Sequence, residues 1–132
     1  MNAHDSDGLF SPMQAGALSL SHRVVHAPMT RLRADADDSP SLMMVEYYRQ
    51  RASAGGLIIT ESAHPSIDSR GYLGAPGIYM DVHVQAWRKV VDAVHERGGK
   101  IVIALTPYVR DAFWGGNERH YIDFPRWEAA AG

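Results

Sequence analysis

The chain has 132 residues, 45% of them hydrophobic and 21% charged, with a formal net charge of -2 and no cysteine. That size suits one domain, and the balanced charge leaves no electrostatic footprint for nucleic acid or an anionic membrane. Without cysteine there is no disulfide framework, thiolate nucleophile or cysteine metal site, and a reducing, cytoplasmic compartment is the default expectation.

No apolar run approaches the ~20 residues of a membrane helix. The opening MNAHDSDG lacks the basic start and apolar core of a signal peptide and reads as a solvated tail over residues 1–8. From Leu9 to Leu20, apolar residues are broken by Pro12 and Gly16, which predicts a short hairpin or a packed loop leading into the first strand. Arg23 to Ala27 is rich in valine and predicts that strand, stopped by Pro28, which cannot donate to a ladder. The following loop, Leu32 to Ser39, is acidic and alanine-rich and is expected to be exposed.

Ser39 and Pro40 predict an N-cap and first helical position, for a helix ended by Gly55 and Gly56. Its packing side at helical spacing is Met44, Tyr47, Tyr48, Arg51 and Ala52. Leu57 to Ile59 is a continuous apolar run, as in a parallel strand covered on both faces. A long loop from His64 to Tyr79 follows, of a kind that often carries function. Asp81 is a candidate cap for the clearest helix, in which Trp87, Val90, Val91 and Val94 recur at helical spacing until Gly98 and Gly99 close it. Ile101 to Leu105 is a third buried strand. Alternating strand, helix, strand, helix, strand implies a parallel βαβαβ unit. After Val109 only a short helix near Arg126 to Ala130 is legible.

Three segments carry a family resemblance: LFSPMQAGALSLSHRVVHAPMTRLRA, EYYRQRASAGGLIITESA and RGYLGAPGIYMDVHVQAWRKVVDAVHERGGKIVIAL. Together, over Leu9 to Leu105, they resemble the N-terminal part of the old yellow enzyme family of FMN-dependent NAD(P)H oxidoreductases. The resemblance implies an α/β fold, part of a (β/α)8 barrel, with residues 9–109 as its N-terminal portion and 110–132 as a divergent tail. A whole barrel of this kind takes ~250 residues.

By position, the APMTR motif implies that Ala27, Pro28, Met29 and Thr30 line the flavin, with the Thr30 hydroxyl at its reactive edge. Ser62 falls where family members usually carry Ala or Gly against the ring. The third strand departs from the family's LQLWHxGR: Ala104 stands where a glutamine meets the flavin, Thr106 at the tryptophan, Val109 at the glycine, and Arg110 matches. The family's substrate-binding pair, tyrosine proton donor, flavin-binding arginine and phosphate loops lie beyond the resemblance. The implied cofactor is therefore FMN, weakly held or absent in the isolated chain, with NAD(P)H as the family's reductant.

The implied activity is hydride transfer from NAD(P)H to FMN and then to an activated alkene. That activity belongs to a completed barrel, which a complementary barrel fragment would supply. The competing expectation is a non-catalytic remnant whose open sheet self-associates or binds a partner. Other residues carry blander readings. Arg31 and Arg33 read as solvated loop arginines, Glu61 as a rim salt bridge, and Tyr72 and Tyr79 as loop packing. The seven histidines show no metal-ligand spacing, and GGNERH lacks the Walker pattern.

Overall fold

The structure, a computed structural model, describes residues 8–106. The expected tail before residue 8, Tyr108, Val109, Arg110, the helix near Arg126 and the divergent C-terminal tail lie outside the described residues.

The N-terminal segment is a hairpin of β1 (Met13–Ala15) and β2 (Leu18–Leu20), turned at Gly16, whose φ of 58° is a left-handed value. The parallel sheet comprises β3 (Val25–His26), β4 (Leu57–Ala63) and β5 (Lys100–Leu105), in that order, joined by α1 (Leu42–Arg51) and α2 (Asp81–His95). The expected βαβαβ unit is therefore present. Its first strand is shorter than the Arg23 to Ala27 span, since only Val25 and His26 pair with β4.

Helix α1 begins two residues later than its sequence signal. Ser41, not Ser39, caps it by accepting the Met44 N–H at 3.3 Å. Ser39 is already committed to the preceding turn: its N–H donates to Asp37 Oδ1 and its carbonyl accepts from Asp35. At the other end Ala52 is already extended, so the helix stops before Gly55 and Gly56. Gly55 serves instead to turn the chain into β4, with φ of 68° and a side-chain position already filled by Ser21.

Met44 and Tyr48 of α1 and Ala52 just after it join Ile58 and Ala63 of β4 and Trp87, Val90 and Val94 of α2 in one core, between the helices and the sheet. Each such fully buried aliphatic side chain contributes about 1.5–3 kcal/mol through area removed from water. Arg51, expected on this face, is exposed with its guanidinium 3.7 Å over the Tyr47 ring. Among the described residues the opposite face of the sheet is open: Val25 and Val102 are both 38% exposed, and Leu57 and Ile59 only half-buried. Continuous cover on both faces, expected for Leu57 to Ile59, is thus absent among the described residues, because both helices pack on one side.

Helix α2 starts at Asp81, but its cap is supplied by His83. The His83 Nδ1 accepts from the N–H groups of Tyr79 and Met80 at 3.4 and 3.3 Å, while its Nε2–H donates to the Asp37 carbonyl at 2.8 Å. This ring, fully buried, ties the helix start to the loop before α1. Among the described residues no helix is long and apolar enough to cross a membrane.

Candidate functional site

Because the three strands run parallel, their C-terminal ends share one rim. Residues 27–30 leave β3 there, Ser62 and Ala63 end β4, and Thr106 follows β5. Ligand and active sites of parallel α/β folds are built at such rims.

A bulge in β4 decides which side chains reach this rim. Ile59 pairs with Val102 but Ser62 with Ala104, so three steps along β4 match two along β5. The slip reverses the alternation of the strand. Ile58 is buried toward the helices before the bulge and Glu61 and Ala63 after it, which leaves Ser62 on the open face. Its Oγ lies 2.7 Å from Thr106 Oγ1, a diagonal cross-strand pair. Thr60 fills the bulge itself: its hydroxyl donates to the Glu61 carbonyl at 2.8 Å and accepts the Ala104 N–H at 3.2 Å.

Glu61 makes different contacts from the expected salt bridge. Its carboxylate is 1% exposed, and Oε2 accepts the backbone N–H groups of Arg31 and Leu32 at 3.1 and 3.4 Å. The Tyr48 hydroxyl accepts the Glu61 N–H at 2.9 Å and stands 3.5 Å from Oε1. Burial pushes the Glu61 carboxyl above its ordinary pKa, against the opposing pull of the two N–H bonds. Burial likewise pushes the Tyr48 phenol up.

The turn held by Glu61 is the one that follows Thr30. Leu32 there has φ of 54°, and its carbonyl abuts Gly74, where a Cβ would lie 2.7 Å from that oxygen. The Gly74 carbonyl in turn accepts from Ala34 at 3.0 Å. Of the residues singled out by resemblance, Ala27, Pro28 and Thr30 are exposed, Met29 is 42% exposed and Ser62 half-buried. Arg31 and Arg33 are exposed, as expected. With Met43, Met44, Tyr47 and Glu61 they line a cavity of about 170 Å³.

A second polar cluster had no signal in the sequence. The loop from Leu32 to Ser39, expected to be exposed, buries Asp38 and Ser39 at its end. Asp38 has φ of 67° and lies 2.7 Å from the Arg70 guanidinium and 3.2 Å from His64 Nε2. The Tyr79 hydroxyl adds a contact at 3.5 Å. Burial lowers the His64 pKa even though Asp38 opposes it. This cluster anchors the 64–79 loop, and Tyr79 packs against both His64 and His83, in keeping with the packing role expected of it. Among the described residues no group of three or more metal-ligating side chains forms a site.

Comparison with known proteins places this arrangement. The model of the NADH:flavin oxidoreductase / NADH oxidase family matches residues 8–130. The chain is 46% identical over 101 residues to the flavin oxidoreductase hxnT of Emericella nidulans, covering 74% of this chain and 26% of that protein. It is 50% identical over 91 residues to 12-oxophytodienoate reductase 7 of Oryza sativa subsp. japonica, covering 69% and 23%. Among solved structures, morphinone reductase in complex with tetrahydroNAD superposes with a TM-score of 0.70 at 49% identity, covering 74% and 26%. The old yellow enzyme homologue from Zymomonas mobilis gives 0.70 at 46%, covering 74% and 27%. The chain spans about a quarter of the length of these relatives. With its hairpin, its three interleaved parallel strands and these matches, the chain belongs to the NADH:flavin oxidoreductase / NADH oxidase family, the old yellow enzymes, and forms an N-terminal part of their barrel.

Proposed function

We propose that this chain supplies one flavin-facing wall of an FMN-dependent NAD(P)H oxidoreductase of the ene-reductase type. The observation that carries the reading is the exposed strip Ala27, Pro28, Met29 and Thr30, which leaves β3 at the rim where Ser62 faces the open side of the sheet. Names of relatives, 12-oxophytodienoate reductase and morphinone reductase, support the reductase class.

The residues present fit the ring of FMN better than its phosphate. A flat ring needs accessible backbone, small side chains and one or two donors, which Ala27, Pro28, Thr30, Ser62 and Ala104 offer. When bound, FMN would supply the hydride-transfer chemistry between NAD(P)H and an activated alkene. Thr30 would donate a hydrogen bond at the ring edge, stabilising its reduced, more negative form, while Met29 and Ser62 would limit water and fix the ring plane. Ala104 brings no side-chain amide to the pyrimidine, so one contact typical of the family is missing.

The open face also favours a binding reading. Val25, Leu57, Ile59 and Val102 present apolar surface, and β3 and β5 end the sheet with unpaired edges among the described residues. A complementary barrel fragment would cover that face, and self-association is the non-catalytic alternative.

Titrating FMN into the full chain, with and without a polypeptide carrying the remaining barrel strands of a family member, tests both readings. Flavin absorbance and fluorescence quenching that develop only with the complement support the wall. Quenching in neither mixture, with a concentration-dependent sedimentation mass of the chain alone, replaces it with self-association. In the loaded complex Thr30→Ala is expected to lower the flavin midpoint potential; an unchanged potential removes that residue's role.

A further inference from the structure

We propose that Glu61 is a positioning residue for Thr30, a carboxylate built into the β4 bulge to hold the turn that carries the threonine hydroxyl. The geometry forms a continuous chain of contacts. At the bulge the Glu61 N–H has Tyr48 as its acceptor, 2.9 Å away, and the Tyr48 hydroxyl points back to Oε1 of the same residue. The other oxygen, Oε2, receives two successive backbone N–H groups, those of Arg31 and Leu32. Successive N–H groups converging on one anion form a concavity that fixes the backbone conformation around them. Here that backbone includes Leu32 at φ of 54°, a left-handed conformation a leucine adopts only when its surroundings impose it.

Thr30 is itself exposed and precedes the held residues directly. Its side chain is therefore oriented by Arg31 and Leu32, and through them by Glu61. A surface glutamate would be a poor anchor, but this carboxylate is 1% exposed and packed beneath the turn, where hydrogen bonds to a charged acceptor are strong. The consequence for flavin rests on the wall reading above, whereas the hold on the turn stands without it.

Two readouts separate these. In the ¹⁵N-labelled full chain, Glu61→Ala is expected to speed hydrogen exchange at the Arg31 and Leu32 amides about tenfold or more, leaving protected the Lys100 and Glu96 amides, which bond to the Gly56 and Asp92 carbonyls. Glu61→Gln keeps an oxygen acceptor and is expected to restore most of the protection. Unchanged exchange at Arg31 and Leu32 in Glu61→Ala overturns the proposal. Should that variant unfold, Glu61→Met, which keeps the bulk but offers no oxygen acceptor, decides: faster exchange confined to those two amides supports the hold, and unaltered exchange overturns it.

In a flavin-loaded complex, Thr30→Ala and Glu61→Ala are expected to lower the midpoint potential together. A shift for Thr30→Ala with none for Glu61→Ala overturns the positioning role. Loss of amide protection in Glu61→Ala with no shift for Thr30→Ala upholds the hold on the turn and overturns the flavin reading alone.

Discussion

Tyr48 and Glu61 meet at the junction of α1 and β4, where the phenol oxygen accepts the Glu61 backbone N–H at 2.9 Å and stands 3.5 Å from the carboxylate of the same residue. One hydroxyl thus meets both ends of a residue that the bulge has pulled out of the regular ladder.

Tyr48→Phe keeps the ring packing and removes that hydroxyl, leaving a buried N–H without its acceptor. The expected loss is about 1–3 kcal/mol of unfolding free energy, the cost of a buried polar group left unpaired. Urea denaturation of the full chain measures it. A midpoint equal to that of the unmodified chain would show that the bulge finds another acceptor.

The sign of the Glu61 shift gives a pH prediction. Its folded pKa is raised by burial, so between the ordinary carboxylate value and that raised value the folded chain binds more protons than the unfolded one. The stability this group contributes is present below the ordinary value and is lost as pH rises through the folded value. Glu61→Gln removes the titration while keeping an acceptor. The difference in unfolding free energy, unmodified chain minus variant, should therefore fall from pH 4 to pH 8. A difference that rises over that span contradicts the assigned direction.

Asp38 compensates Arg70 and His64 in a buried setting, and Asp38→Ala leaves both without it. A cost of about 3 kcal/mol is expected from breaking a largely buried charge pair. The damage should concentrate in the 64–79 loop, read as faster hydrogen exchange at His64 and Ile78, whose N–H groups bond to Pro76 and His64 carbonyls. Equal loss of protection throughout β5 would mean that the cluster supports the whole sheet instead.

Ala104→Gln restores the side chain usual in the family at that position and should tighten FMN binding in a completed barrel. One added hydrogen bond is worth about 1 kcal/mol, roughly fivefold in affinity. Fluorescence quenching titrations compare the two proteins; no gain would place the Ala104 side chain away from the ring.

Local patterns carried far in this chain. Valines and isoleucines marked β3, β4 and β5, and the spacing of Trp87, Val90 and Val94 marked α2, because each of these signals depends only on neighbours within a turn or a strand. Boundaries failed where a side chain was claimed by a distant partner. Ser39 looks like a cap, but Asp35 and Asp37 bind it into a turn first, and Ser41 takes the role. Asp38 looked solvated among acidic and alanine neighbours, yet Arg70 and His64 reach it from 32 and 26 positions along the chain.

The sequence by itself determined the alternation of elements, the family, and the APMTR stretch, since these rest on local composition and on the order of motifs. Only the tertiary structure decided that the β4 bulge puts Ser62 on the open face while turning Glu61 inward beneath the turn after Thr30. A one-residue slip in strand pairing reverses every side chain beyond it, and nothing local in Ile59, Thr60, Glu61 and Ser62 announces the slip. It becomes visible only when β5 is laid alongside.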